Sequence, residues 1–182
     1  PLRLFVCCQE SDGAVALVVT SLERARALTR TPVVIRAAAQ GCAGDQRLTG
    51  FYEGDMCTLP GLGVVSRQLY AQSGLSPREM DCAILYDHFT PLVLMQLEEL
   101  GFCGRGEAKD FVRVGEHALG GSLPINPNGG QLGEAYIHGL NGMAEAVRQL
   151  RGTSVNQLGK VDNILVTGGT GLPTSGLILG RD

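Results

Sequence analysis

No stretch restricts this chain as severely as Pro124-Ile125-Asn126-Pro127-Asn128-Gly129-Gly130-Gln131-Leu132-Gly133-Glu134-Ala135-Tyr136-Ile137-His138-Gly139. Proline fixes the entry by locking φ, and Asn128-Gly129-Gly130 permits backbone angles with φ > 0. Gly133 leaves room for another backbone or a ligand. The segment carries almost no charge, and it feeds Tyr136 and His138 into a helix start. Loops built this way present side chains at a site held by a firm scaffold. The same composition also makes a plain strand-to-helix connection. A second element favours the site: in Leu85-Tyr86-Asp87-His88-Phe89-Thr90, polar side chains end a buried-looking strand.

The 182 residues are 44% apolar with a net charge of −3, which fits one globular domain over residues 1–182 with a sizeable core. The 15 Lys and Arg residues form no dense block, so no nucleic-acid footprint is expected. The longest clean apolar run, Ala14-Val15-Ala16-Leu17-Val18-Val19, is far short of the ~18 residues of a membrane span. No membrane partner is expected. The chain opens on Pro1 without a signal-peptide pattern, and it reads as a fragment or a processed product. Six cysteines show no Cys-x-x-Cys pair and no histidine at ligand spacing, so neither a metal site nor a disulfide framework is expected. Cys82 and Cys103 read as small core residues, and a reducing, cytoplasmic setting follows.

Along the chain, Ser11-Asp12-Gly13 reads as a turn and Ala14–Val19 as a buried strand. Thr20-Ser21-Leu22-Glu23 opens a helix with Leu22, Ala25 and Leu28 as its apolar stripe. Pro32–Ala39 is the next strand, 41–63 is irregular, and Val64–Ser73 is a helix stopped by Gly74. Ser76-Pro77-Arg78-Glu79 starts another helix. Cys82–Tyr86 is a short strand, Thr90–Leu100 a helix, and 104–121 a charged surface loop. A helix over 139–150 turns Met143, Ala146, Val147 and Leu150 inward. Asn163–Thr167 and Ser175–Leu179 are the last strands, joined so tightly that they should pair antiparallel. The sum is an α/β domain, a mixed sheet of about five strands with packed helices. Gly168-Gly169-Thr170-Gly171 lacks the lysine of a phosphate loop and precedes a strand, so nucleotide binding there is not expected.

Three elements in order resemble the C-terminal half of the thiolase superfamily: Tyr86-Asp87-His88-Phe89, residues 126–142, and the 168–173 loop. Ser11-Asp12-Gly13-Ala14 leading to Ser21-Leu22-Glu23-Arg24-Ala25 looks like the start of that half. The chain is most similar to the thiolase-like lipid-transfer group, kin to the sterol carrier protein X thiolases, and within it to aldolases of steroid side-chain degradation. The resemblance implies a thiolase-like C-terminal domain whose N-terminal half is absent, and a fragment inactive by itself. Where thiolases carry Asn-Glu-Ala-Phe or His-Asp-x-Phe, this chain has Tyr86-Asp87-His88-Phe89. Where they carry Gly-His-Pro it has Ala135-Tyr136-Ile137. Where they carry a Cys-x-Gly loop it has Thr167-Gly168-Gly169, give or take one position, and no cysteine.

Acyl exchange of the thiolase kind needs a nucleophilic thiolate and a second acid/base cysteine, which this half does not supply. Two tyrosines suit a retro-aldol reaction instead. One phenol takes the proton of a β-hydroxyl while the other protonates the enolate or holds the developing carbonyl. The resemblance implies Tyr86 and Tyr136 as the catalytic pair. Asp87, His88, Asn128, Gly129, Gly130, His138, Gly168 and Gly169 would line the site. It further implies a 17-hydroxylated steroid β-hydroxyacyl-CoA cleaved to propionyl-CoA and a 17-keto steroid. Coenzyme A enters only as part of the substrate, and there is no separate cofactor. Partners implied are a second copy in a homodimer and a small OB-fold, zinc-containing subunit. Two other readings stay open: an acetyl-CoA acyltransferase with its cysteine nucleophile in the other half, and a non-catalytic acyl-CoA or sterol-binding subunit.

Overall fold

The computed structural model describes residues 2–29, 31–43, 57–171 and 174–182. Its strands are β1 (Val33–Gly41), β2 (Cys82–Ile84), β3 (Asn163–Gly168) and β4 (Thr174–Arg181), and they form one mixed sheet in the order β1-β4-β3-β2. β3 and β4 run antiparallel, as their short connection requires, with Leu165 opposite Ile178. β1 adds antiparallel to β4, and β2 lies parallel to β3 with Ile84 opposite Val166. The helices are α1 (Leu22–Leu28), α2 (Pro60–Ser73), α3 (Thr90–Glu99), α4 (Ala108–Arg113), α5 (Gly130–Gly133) and α6 (Leu140–Arg151).

Alternation along the strands divides the core between two faces. Ala83, Leu85, Leu165 and Ile178 pack with Leu62, Val65 and Leu69 of α2 and Leu97 of α3. Cys82, Ile84, Ile164 and Val166 face the other way, onto Ala146 and Leu150 of α6. Each buried aliphatic side chain contributes about 1.5–3 kcal/mol, so these two clusters hold the layers more firmly than helix propensity could.

Several elements depart from the sequence-based expectation. Ala14–Val19 forms no strand, and Val18 is 91% exposed. A run of β-prone residues becomes a strand only where another strand offers its backbone groups, and this run pairs with none of the described strands. Among the described residues the sheet has four strands, close to the expected mixed sheet of about five. Leu22 and Leu28 of α1 are exposed instead of forming a buried stripe. Ser76-Pro77-Arg78-Glu79 closes a capping box, but the helix it starts is a single 3-10 turn, Pro77–Glu79. The expected irregular stretch 41–63 lies largely outside the described residues, and its last four are the first turn of α2. The expected loop 104–121 contains α4. Glu98 Oε1 accepts from the Gly106 and Ala108 amides at 2.9 and 3.2 Å, satisfying groups that a helix start leaves open. Cys82 is fully buried and Cys103 partly so.

Helix α6 approaches the sheet through Gly142, where an added Cβ would stand 2.6 Å from Ile84 Cγ2. Helix propensity alone makes Gly→Ala stabilising by about 0.5–1 kcal/mol. For Gly142→Ala we expect the opposite, a loss of about 1–3 kcal/mol from overpacking. The measurement is the urea midpoint at constant m, and a midpoint that stays or rises would show that α6 can back away.

Candidate active site

Strand β2 ends at Ile84, and the next two residues complete their hydrogen bonds on side chains. Toward residues 124–126, the Leu85 amide donates to Asn126 Oδ1 at 2.7 Å, and Asn126 Nδ2 donates back to Leu85 O at 3.0 Å. Asn126 sits at φ 47°, a left-handed conformation that asparagine tolerates better than most residues. Toward β3, the Tyr86 amide donates to Thr167 Oγ1 at 2.9 Å, and Gln96 Nε2 donates to Tyr86 O at 2.9 Å. The Thr167 hydroxyl donates to Gln96 Oε1 at 2.7 Å and closes the ring.

Held in this way, Tyr86 meets Tyr136. Their hydroxyls stand 3.1 Å apart with the rings nearly perpendicular, at 79°. The Tyr136 hydroxyl also lies 3.2 Å from His138 Nδ1. His138 is at φ 56° and Gly139 at φ 80°. At Gly139 the left-handed turn is also a close approach, because a Cβ would stand 3.1 Å from the Tyr86 ring. For His138 that backbone costs about 1–3 kcal/mol, and strain of this kind gathers where side-chain placement matters.

Burial pushes the Tyr86 phenol well above its ordinary value, and the hydrogen bond to Tyr136 pushes it further. Tyr86 therefore remains a neutral phenol across the whole neutral range. Burial holds His88 below its ordinary value, so it too is neutral there. The His88 ring packs edge-on to Tyr86 with centroids 4.9 Å apart, and its Nδ1 is buried without a hydrogen-bond partner.

The other expected site residues divide between lining and bracing. Asp87 is buried and accepts from the Gln131 amide at 2.8 Å, which caps the short α5 and draws residues 86–89 onto the 126–139 loop. Gly130, at φ 64°, lies against that carboxylate, and a Cβ there would overlap it. The close approach expected at Gly133 thus occurs at Gly130, while Gly133 faces open space. Asn128 is turned to Glu134 at 2.6 Å, and Glu134 also accepts from Asn141 at 2.8 Å. Asn128 Oδ1 also accepts from the Gly130 amide at 3.3 Å, and with Gly129 at φ 99° it holds the turn. Gly168 joins His138, Gly139 and Met143 in lining an open cleft of about 420 Å³ between α6 and the sheet. The Gly169 carbonyl accepts from Thr174 Oγ1, so that residue braces the β3–β4 connection.

Two contributors escaped the sequence reading. Residues 7–11 stitch the tyrosine loops together. The Cys8 amide donates to His88 O at 2.9 Å, the Ser11 amide donates to Tyr136 O at 3.2 Å, and short bridges join Cys7 to Phe89 and Glu10 to Tyr136. Burial raises the Cys8 thiol above its ordinary value. The other is Gln96, fully buried on α3, whose signal was a polar residue beside Leu97 on the core-facing side of that helix. Among the described residues, no cluster of His, Cys, Asp or Glu could hold a metal ion, and no helix is long and apolar enough to cross a membrane.

The chain is 65% identical over 181 residues to the 17-hydroxy-3-oxo-4-pregnene-20-carboxyl-CoA lyase of Mycobacterium tuberculosis, which covers 99% of this chain and 47% of that protein. It is 64% identical over 183 residues to the steroid side-chain-cleaving aldolase of Thermomonospora curvata, covering 100% of this chain and 47% of that one. The solved structure of the Ltp2-ChsH2(DUF35) aldolase superposes with a TM-score of 0.97 at 64% identity, over 100% of this chain and 48% of the matched chain. The chain thus spans about half the length of the curated relatives it matches. The model of the thiolase C-terminal domain-like family matches residues 50–181. On that match and those identities, the chain belongs to the thiolase C-terminal domain-like family.

Proposed function

We propose that this domain supplies the acid–base groups for retro-aldol cleavage of a β-hydroxyacyl-CoA. The contact between the Tyr86 and Tyr136 hydroxyls carries the reading. A thiolase-type transfer would need a thiolate nucleophile, and the Cys8 thiol near Tyr86 is held above its ordinary value by burial; two phenols can move protons without forming a covalent intermediate. With His138 protonated on Nε2, the hydrogen bonds run from Tyr86 to Tyr136 and from Tyr136 to His138 Nδ1. The substrate β-hydroxyl gives its proton to the Tyr136 oxygen as the Tyr136 proton passes to His138. The O–H electron pair becomes the second bond of the new carbonyl, and the Cα–Cβ pair moves into the thioester enolate. Tyr86, kept neutral by burial, then delivers its proton to Cα. Return of the proton from His138 through Tyr136 to Tyr86 restores the starting state, so no net proton is taken up.

The names of the relatives at 64 and 65% identity favour a 17-hydroxylated steroid thioester, cleaved to propionyl-CoA and a 17-keto steroid. Coenzyme A then enters and leaves as part of substrate and product, with no separate cofactor. The two-protein aldolase that this chain resembles supports a second subunit, which on this reading is the small OB-fold, zinc-bearing protein. We take the working enzyme as a cytoplasmic homodimer of the larger subunit with that partner.

The test is product mass spectrometry on the complete subunit with its second subunit, offered a panel of β-hydroxyacyl-CoA thioesters. We expect Tyr86→Phe and Tyr136→Phe each to lower the cleavage rate about 10²- to 10⁴-fold, the range for a positioned acid or base. Cleavage that persists in both variants refutes the phenol mechanism.

The raised Tyr86 value gives a separate expectation. Folding favours the phenol over the phenolate, so the stability contributed by Tyr86 is complete below the unfolded value of 10.0 and is lost as pH rises past it. In an ultraviolet titration of phenolate absorbance, the step that disappears in Tyr86→Phe should lie above that value. A missing step at or below it would mean that the site stabilises a phenolate.

A further inference from the structure

We infer that Gln96 and Thr167 are positioning residues for the Tyr86 phenol, acting through the Tyr86 backbone. The inference rests on the reading of Tyr86 as a catalytic acid and assigns a task to two residues that do not touch the hydroxyl. β2 and β3 remain paired through Ile84 and Val166, and then the ladder ends. At the next step the Tyr86 amide would have no partner, because β3 offers the side chain of Thr167 where a backbone carbonyl would otherwise accept.

Donor and acceptor counting leaves one arrangement. A threonine hydroxyl has a single proton, and Thr167 Oγ1 already accepts from the Tyr86 amide, so that proton goes to Gln96 Oε1. The opposite end of the Gln96 amide must then be its NH₂, which donates to Tyr86 O at 2.9 Å and to Leu92 O at 3.1 Å. Both backbone groups of Tyr86 are therefore gripped by one buried pair. Gln96 is fully buried and Thr167 is buried, so water does not compete for these bonds. Thr167 stands, within one position, where the resemblance puts the cysteine loop of thiolases. Its hydroxyl is consumed in this ring and serves architecture instead of proton transfer. Small displacements of a reacting group are expensive, with about 1 Å enough for a 10²-fold loss of rate.

The experiment uses the complete subunit with its second subunit and separates kcat from KM. Thr167→Val keeps the shape and removes the hydroxyl. We expect kcat to fall about 10- to 100-fold with KM within about threefold, because geometry is lost at the reacting centre while the substrate-binding surfaces remain. Thr167→Ser restores the hydroxyl and should recover at least about half the rate. Gln96→Glu adds a pH signature. When protonated its carboxyl can donate to Tyr86 O as the amide does, and when ionised it sets oxygen against oxygen. Its rate relative to the unchanged enzyme should therefore fall as pH rises, and its acid end supplies a folded reference. The inference is overturned if Thr167→Val keeps its kcat, if Thr167→Ser fails as badly as Thr167→Val, or if Gln96→Glu follows the pH profile of the unchanged enzyme. Tyr86→Phe is the control that separates the two claims. If it retains activity, the catalytic reading fails. If it is inactive while the Thr167 and Gln96 variants are normal, only the positioning inference fails.

Discussion

The candidate site depends on what happens to the backbone where β2 stops. A strand that leaves its sheet exposes amides and carbonyls, and each such group left buried without a partner costs about 1–3 kcal/mol. Here the missing ladder is rebuilt from side chains. Asn126 serves Leu85 on one side, and Thr167 with Gln96 serves Tyr86 on the other. Asp87, next in sequence, then ties this turn to α5 through the Gln131 amide. The chain can turn out of the sheet at a buried place because three side chains from distant segments, Asn126, Thr167 and Gln96, converge there and the turn's own Asp87 ties it to α5. Tyr86 is thereby projected in a fixed direction.

The chemistry follows from where that direction leads. Two phenols in contact at the edge of an apolar core compete for few protons and little water, and burial holds the deeper one neutral. The outer one is linked to an imidazole that can share its proton. Such a chain can move protons along a short path, with any charge left on the imidazole and the phenol cancelled when the proton returns. On the proposed reading, carbon–carbon scission beside an alcohol uses that capacity alone, whereas acyl transfer of the thiolase kind also needs a nucleophilic thiolate. The open cleft between α6 and the sheet is lined by His138, which bonds Tyr136, and by Gly139, which lies against the Tyr86 ring.

Much of this was legible in the residues. The prolines and glycines of 124–139 announced a constrained loop, and the alternation of apolar residues announced the layers. The pairing of Tyr86 with Tyr136 came from matching two loops to one superfamily, and their 3.1 Å contact agrees with it. Other parts were misread for identifiable reasons. Ala14–Val19 has strand composition, but strand formation requires a partner that composition does not reveal. Helix α4 is short and charged, and its start is satisfied by Glu98 of α3, a contact between helices that local pattern reading does not see. Asn128, expected in the site loop, holds it from both ends of its side chain: its Oδ1 accepts from the Gly130 amide at 3.3 Å and its Nδ2 donates to Glu134 at 2.6 Å, a partner that local pattern does not reveal.

The amino-acid sequence by itself determined the class of fold, the order of elements and the presence of two phenols where thiols and imidazoles are usual in this superfamily. These are properties of local periodicity, turn chemistry and motif order, and they can be read one segment at a time. Only the tertiary structure decided that residues 7–11, 85–88, 96, 126, 136–138 and 167 share one corner of the molecule. Hydrogen bonds between segments separated by as many as 125 residues carry no local signature, because each partner is an ordinary polar residue until the fold brings the other to it.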